Sequence, residues 1–217
     1  MEKLAREKEV VGIYISGHPL DDFKTEMKNF CNAKLSHFND LEKYVNRELT
    51  FGGVVTNIQH RVSKQGKGWA AFTVEDYTDS FEFRIFGEEY LKFRHFLVQN
   101  SFVYVRAFVR EGWVNRDTGK KGDPRIQFNN FQLLHDVMDS YAKKLSIQLN
   151  IEELEKGTVS DLQSVFKAHS GKNALNFLVY DHSDKIKLNM PSRKQKVKIS
   201  QELLNELDGL EVKYKLN

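Results

Sequence analysis

The sequence predicts a mixed β and α+β fold: a five-stranded β-barrel, a short helical segment before it and a small α+β domain after it. Three observations carry this. Apolar residues alternate along five short pieces between Leu49 and Leu134, they recur once at helical spacing between the third and fourth pieces, and a second set of alternating and helical pieces follows. The boundaries fall at residues 1–47 for the helical segment, 48–136 for the barrel and 137–217 for the last domain.

Within the barrel, Phe72 and Val74 point one way while Ala71, Thr73 and Glu75 point the other, and Phe81, Phe83 and Ile85 do the same against Glu82 and Arg84. One face is core and the other is wet. Asp76 to Ser80 (DYTDS) supplies turn-forming residues, and Gly52-Gly53 offers the kink that a small closed barrel needs. Tyr90, Leu91, Phe93 and Phe96 give the intervening helix an apolar side with which to plug an open barrel end. Three strands, a helix and two strands, in that order, make an OB-fold barrel.

The loops and the wet face decide what such a barrel binds. No acidic residue lies between Val54 and Val74, yet Arg61, Lys64 and Lys67 stand in the first hairpin beside Trp69. The hairpin after the fourth strand repeats the pattern, with Trp113, Arg116, Lys120, Lys121 and Arg125 flanking Asn115, Asp117, Gly119 and Gly122. Lysine and arginine neutralise phosphates, and an aromatic ring stacks on any base for about 1 to 3 kcal/mol. With Arg84 on the wet face, these residues form the candidate nucleic-acid site. A solvated pair of hairpin tips is the plainer alternative.

With 217 residues, 40% of them hydrophobic, the chain can bury one large or two small cores. A formal net charge of +3 is too slight for bulk electrostatic binding, so affinity must come from local clustering and be salt-sensitive. Cys31 stands alone, which excludes an internal disulfide and a cysteine-rich zinc site and fits a reducing cytoplasm, the expected location. No run is apolar enough for a signal peptide or a membrane span, so no membrane partner is expected.

Ahead of the barrel, Met1 to Ile15 reads as a helix stopped by Ser16-Gly17-His18-Pro19. Asp21 or Asp22 then caps a second helix carrying Phe23, Met27 and Phe30, and Leu35, Phe38, Leu41 and Tyr44 lead to the barrel. His18 has no carboxylate or second histidine at catalytic or metal spacing, which makes it a turn residue. His60 lies near the basic hairpin and reads as a surface residue, with a phosphate contact as the alternative.

Behind the barrel, Leu145, Ile147 and Leu149 alternate as a strand, Thr158 caps a helix bearing Leu162, Val165 and Phe166, and Gly171 ends it. Strands Ala174 to Tyr180 and Lys185 to Met190 follow, closed by Pro191; then Ser200 caps a helix bearing Leu203, Leu204 and Leu207, stopped by Gly209, and Val212 to Leu216 is a last strand. The basic run Arg193, Lys194, Lys196 and Lys198 is either a partner-binding stripe or a solvated face.

Three stretches carry a resemblance. EKEVVGIYISGHPLDDF (Glu7 to Phe23), FTVEDYTDSFEFRIF (Phe72 to Phe86) and SYAKKLSIQLN (Ser140 to Asn150) resemble the catalytic alpha subunits of bacterial DNA polymerase III, from just before their OB domain onward. The barrel motif is also similar to OB domains of aminoacyl-tRNA synthetases. The polymerase resemblance implies single-stranded DNA as ligand for the barrel. For the last domain it implies the tau subunit of the clamp loader as partner, and for the chain, contacts with upstream domains of the same polymerase.

Phosphoryl transfer needs carboxylates converging on two metal ions, and the acidic pairs Asp21-Asp22, Glu88-Glu89 and Glu152-Glu153 sit instead at helix starts, where they complement the helix dipole. No GxxxxGK[ST] loop and no nucleophile arrangement is present, and Gln163 to Phe166 reads as helix packing rather than a clamp-binding peptide. The expectation is a non-catalytic C-terminal fragment, with no cofactor, of a DNA-directed DNA polymerase. Two other readings stay open: a protein-interaction adaptor in which the barrel is a spacer, and an RNA-binding module of the synthetase type.

Overall fold

The computed structural model describes residues 17–114, 118–154, 157–181 and 183–217. The expected helix over Met1 to Ile15 lies outside the described residues, as do Asn115, Arg116 and Asp117 of the second hairpin. The chain divides into two compact units between Val137 and Met138.

The first unit holds strands β1 (Glu48–Val62), β2 (Gly68–Glu75), β3 (Ser80–Phe86), β4 (Phe102–Arg110) and β5 (Arg125–Leu133), with helix α2 (Gly87–Phe93) between β3 and β4. The short helix α1 (Lys24–Phe30) precedes them. The sheet order is β3-β2-β1-β4-β5, every pair antiparallel. This is the OB element order that the alternation predicts.

Strand β1 is long because it serves two neighbours, pairing its first half with β4 and its second with β2. A register shift between Val55 and Asn57 marks the change of neighbour. The Gly52-Gly53 pair lies just before that shift and serves close approach instead of the bend. A Cβ on Gly52 would stand 2.4 Å from Met27 Sδ, and one on Gly53 would stand 2.4 Å from Val74 Cγ1 and 2.6 Å from the Glu75 carbonyl oxygen.

The core is aromatic. Phe83 meets Phe38, Phe51, Phe72 and Phe128 at centroid distances of 5.1, 5.2, 5.5 and 5.9 Å, and Phe93 of α2 meets Phe131 at 4.9 Å. Among the described residues no backbone ladder joins β3 to β5, so the barrel predicted as closed is sealed on that side by rings. The segment before the strands shares this core, since Leu35 and Phe38 of the 3-10 stretch Leu35–Tyr44 are 0% and 3% exposed within it.

Capping before the strands differs from expectation. Neither Asp21 nor Asp22 caps α1; the Asp21 carboxylate accepts the His18 backbone N–H at 2.9 Å, while His18 Nδ1 accepts the Leu20 N–H at 3.2 Å. His18 is a turn residue, with its ring 4.4 Å from that of Tyr77.

The second unit opens with the short helix α3 (Val137–Tyr141) and strand β6 (Lys144–Asn150), followed by α4 (Thr158–Ala168), β7 (Ser170–Asp181), β8 (Ile186–Val197), α5 (Gln201–Gly209) and β9 (Lys213–Leu216). Its sheet runs β8-β7-β6-β9, with β6 parallel to β7 and the other pairs antiparallel. Leu145, Ile147, Leu203, Leu204 and Leu207 are all 0% exposed beneath the helices.

Four local expectations are corrected here. Thr158 is the first helical residue and Gly157, at φ +110°, is the cap. Gly171 lies in β7, where an added Cβ would come within 2.4 Å of the Lys198 nitrogen, so it marks a close backbone approach and not a helix stop. Pro191 does not close the hairpin, because β8 is the sheet edge and an edge tolerates the missing N–H. The left-handed residue after α5 is Glu211, at φ +55°, rather than Gly209. Ser200 caps α5 as expected, accepting the Leu203 N–H at 3.4 Å.

Candidate nucleic-acid interface

The wet face of the first sheet is set by strand register. In antiparallel strands, directly opposed residues share a face, and Arg61 opposes Trp69 while Trp69 opposes Phe86. One row across three strands therefore carries a cation and two rings. Trp69 stacks on Phe86 with centroids 5.4 Å apart and an interplanar angle of 20°, and the Arg61 guanidinium sits 5.5 Å from the indole centroid. Below this row come Gln59, Ala71 and Arg84, then Asn57, Thr73 and Glu82, so the middle strand offers a shallow floor of small side chains.

Beside that face, the unladdered edges of β3 and β5 bound a cleft of 810 Å³. Phe86, Arg84, Glu89, Arg110 and Arg125 line it. Phe86, at the end of β3, stacks on Trp69 at the base of the first hairpin, and Arg125 is the base of the second. The Arg125 guanidinium lies 4.5 Å from the Trp113 ring centroid, and Trp113 is 73% exposed. One member of each contact, Phe86 of Arg61–Trp69–Phe86 and Arg125 of Arg125–Trp113, thus lines the same cleft.

The other predicted residues fall into distinct settings. Lys64 and Lys67 are exposed at the first hairpin tip, where Gly66 takes φ +76° and the Lys67 N–H donates to Ser63 Oγ at 3.1 Å. Lys120 is exposed, Lys121 is paired with Glu111 at 3.2 Å, and Arg84 is paired with Glu82 at 3.2 Å. Arg116 is outside the described residues.

The cleft also contains a carboxylate. Glu89 accepts the Phe128 N–H at 3.4 Å, occupying an edge amide that a β3–β5 ladder would otherwise use, and burial raises its pKa. His60, read as a surface residue, bonds through Nδ1 with the Tyr90 hydroxyl at 3.2 Å.

Sequence reasoning missed Phe86 and Arg110. Phe86 carried a readable signal: it follows Phe81, Phe83 and Ile85 out of phase, so it must stand on the same face as Glu82 and Arg84, and it is 56% exposed. Arg110 carried none. Its position depends on Gln127, whose Oε1 accepts from Arg110 Nε at 2.8 Å, and on the Phe108 ring, 4.6 Å from its guanidinium.

In the second unit, the basic run lies along the end of edge strand β8 and just beyond it. Arg193, Lys194, Lys196 and Lys198 are all exposed, but register sets Lys196 opposite Ala174, while Val197 between its neighbours is buried. Among the described residues no three His, Cys, Asp or Glu side chains group to hold a metal ion, and no helix is long and apolar enough to cross a membrane.

Both units resemble known proteins. Residues 49–155 match a family described as OB-fold nucleic acid binding domain, and residues 145–217 match the DNA polymerase III alpha subunit, C-terminal domain. The DNA polymerase III subunit alpha of Buchnera aphidicola is 24% identical over 96% of this chain and 17% of its own length. Those of Aquifex aeolicus and Borreliella burgdorferi are 26% and 27% identical over 98% and 88% of this chain, and 18% and 16% of their own lengths. The chain thus spans less than a fifth of the relatives it matches. It is related, across both of its units, to the OB and C-terminal domains of the DNA polymerase III alpha subunit.

Proposed function

We propose that the first unit binds single-stranded DNA along the groove bordered by its two hairpins, as part of a replicative polymerase chain. The observation that supports this is that Phe86 and Arg125 line one open cleft while Phe86 stacks on Trp69, itself beside Arg61, and Arg125 lies on Trp113. Exposed rings stack on unpaired bases of any identity, and the surrounding guanidinium and ammonium groups neutralise phosphates. Lys64, Lys67 and Lys120 extend the cationic border, and Arg84 and Lys121 contribute when phosphate displaces their carboxylate partners. Arg116 belongs to the same hairpin.

The reading is tested by titrating the chain with oligo-dT while following tryptophan fluorescence at two salt concentrations. The expected result is quenching together with a log affinity that falls linearly with log salt. Absence of binding at low salt overturns it, and preference for an RNA loop in competition transfers the site to RNA.

The second unit fits a protein contact, for which the clamp-loader tau subunit is the partner that the resemblance implies. Ile186, Leu188 and Met190 of edge strand β8 are 47%, 48% and 52% exposed, a row of large apolar side chains of the kind that a partner covers. Arg193 and Lys194 continue that strand as a polar rim. Retention of tau by the parent chain, and its loss with Leu188→Asp, is the corresponding test.

A further inference from the structure

Register sorts the second sheet into two unlike faces. Leu145, Ile147, Leu175 and Phe177 share the face that the helices cover, as the 6.0 Å contact of Phe166 in α4 with Phe177 and the bond from the Tyr214 hydroxyl to Asp208 in α5 show. The other face is read across the strands in rows. Lys144, Ala174 and Lys196 make one row; Lys215, Ser146, Asn176 and Pro191 the next; Lys213, Gln148, Leu178 and Asn189 the third; Asn150, Tyr180 and Lys187 the last.

Five lysines stand on this face and no aspartate or glutamate occupies its register positions, while Glu153 and Glu211 border the hollow that Gln148, Asn150, Tyr180 and Lys213 line at one end. All five are exposed, and among the described residues none of them is held in an ion pair. Lys187 rests 5.3 Å from the Tyr180 ring centroid. The centre of the face is low, since Ser146 and Asn176 are short and only 5% and 7% exposed.

We propose that this helix-free, lysine-bearing sheet face is a second nucleic-acid contact, taking the sugar-phosphate backbone of a DNA strand without regard to sequence. Two observations favour DNA over a protein partner. Leu178 is its one large aliphatic side chain and is half-buried, and protein interfaces are depleted in lysine, whereas phosphate contacts draw on it. The exposed apolar row of β8 opposes Phe177 and Val179 and so belongs to the other face, which leaves the two contacts separable.

The test uses the whole chain and a fluorescent oligo-dT read by anisotropy across a salt series. Replacing Lys144, Lys213 and Lys215 together by glutamine removes three phosphate contacts. Binding weakens on the order of 100-fold at 0.1 M salt and the slope of log affinity against log salt becomes shallower by about 2. A separate variant with Arg61, Lys64 and Lys67 replaced by glutamine keeps the contribution of this face. A triple-lysine variant with unchanged slope and native circular dichroism overturns the proposal. So does a chain that binds polyglutamate through these lysines but shows no change toward oligo-dT. If only the first-hairpin variant is silent, the groove reading fails and this one stands.

Discussion

The Asp76 carboxylate accepts the backbone N–H of Leu35 at 2.8 Å, joining the segment before the barrel to the β2–β3 turn across forty-one residues. Its other oxygen accepts from the Thr78 N–H and hydroxyl, both at 2.7 Å, and from the Asp79 N–H at 3.1 Å. Asp76 is 5% exposed, so losing this acceptor strands buried donors. Asp76→Ala is expected to destabilise the first unit by about 3 kcal/mol, measured as a lower urea midpoint, with Asp76→Asn intermediate. A midpoint unchanged in the alanine variant would refute the joint.

Gly53 carries a steric rather than a conformational requirement. Gly53→Ala sets a methyl group within 2.6 Å of both Val74 Cγ1 and the Glu75 carbonyl oxygen, which must force β1 and β2 apart. A loss of about 1 to 3 kcal/mol in urea unfolding is expected. Gly66→Ala makes a useful contrast, because its Cβ meets nothing within 4 Å and the strain comes from φ +76° alone.

Trp113 separates binding from folding. It is 73% exposed, so Trp113→Ala should shift stability by no more than about 0.5 kcal/mol. Oligo-dT affinity should fall by about 1 to 3 kcal/mol in fluorescence titration, as expected for loss of one stacked base.

Stability also depends on pH in a direction set by Glu26. This carboxyl is 7% exposed, its Oε2 has no hydrogen-bond partner among the described residues, and burial raises its pKa. A folded pKa above the unfolded value means that protonation favours the fold. The stabilisation is complete below the ordinary carboxylate value of about 4.3 and is lost as pH rises through the raised one. Glu89 has the same sign. Glu26→Gln is expected to raise the urea midpoint at pH 7 relative to the parent and to leave it nearly unchanged near pH 3.5.

The Cys31 thiol is pushed up to about 12 by burial, with the nearby Asp76 and Glu26 charges adding to the shift. At pH 7.5 in native buffer it is expected to react with a thiol reagent far more slowly than it does in urea. Equal rates in the two conditions would show that it is accessible in the fold.

The sheet carrying the groove was legible because its strands alternate without interruption: Phe72 and Val74 against Ala71 and Thr73 leave one choice of face. The OB order and the cap at Ser200 followed from equally local signals. What could not be read were the relations set by distant chain. Gly171 and Pro191 are helix and strand breakers by local rule, but the Lys198 backbone beside one and the free sheet edge at the other reverse their meaning. The groove was half legible, since both tryptophans and Arg125 were in view while the register that aligns Trp69 with Phe86 was not.

The unpaired β3 and β5 edges have a mechanical consequence. Widening that seam breaks ring contacts such as Phe83 on Phe128 and frees the Glu89 clasp, yet it ruptures no inter-strand amide ladder. Dispersion contacts fade gradually with distance, whereas hydrogen bonds fail within a few tenths of an ångström. Along that one line the barrel is therefore held by ring contacts and a single side-chain bond, and elsewhere by backbone ladders.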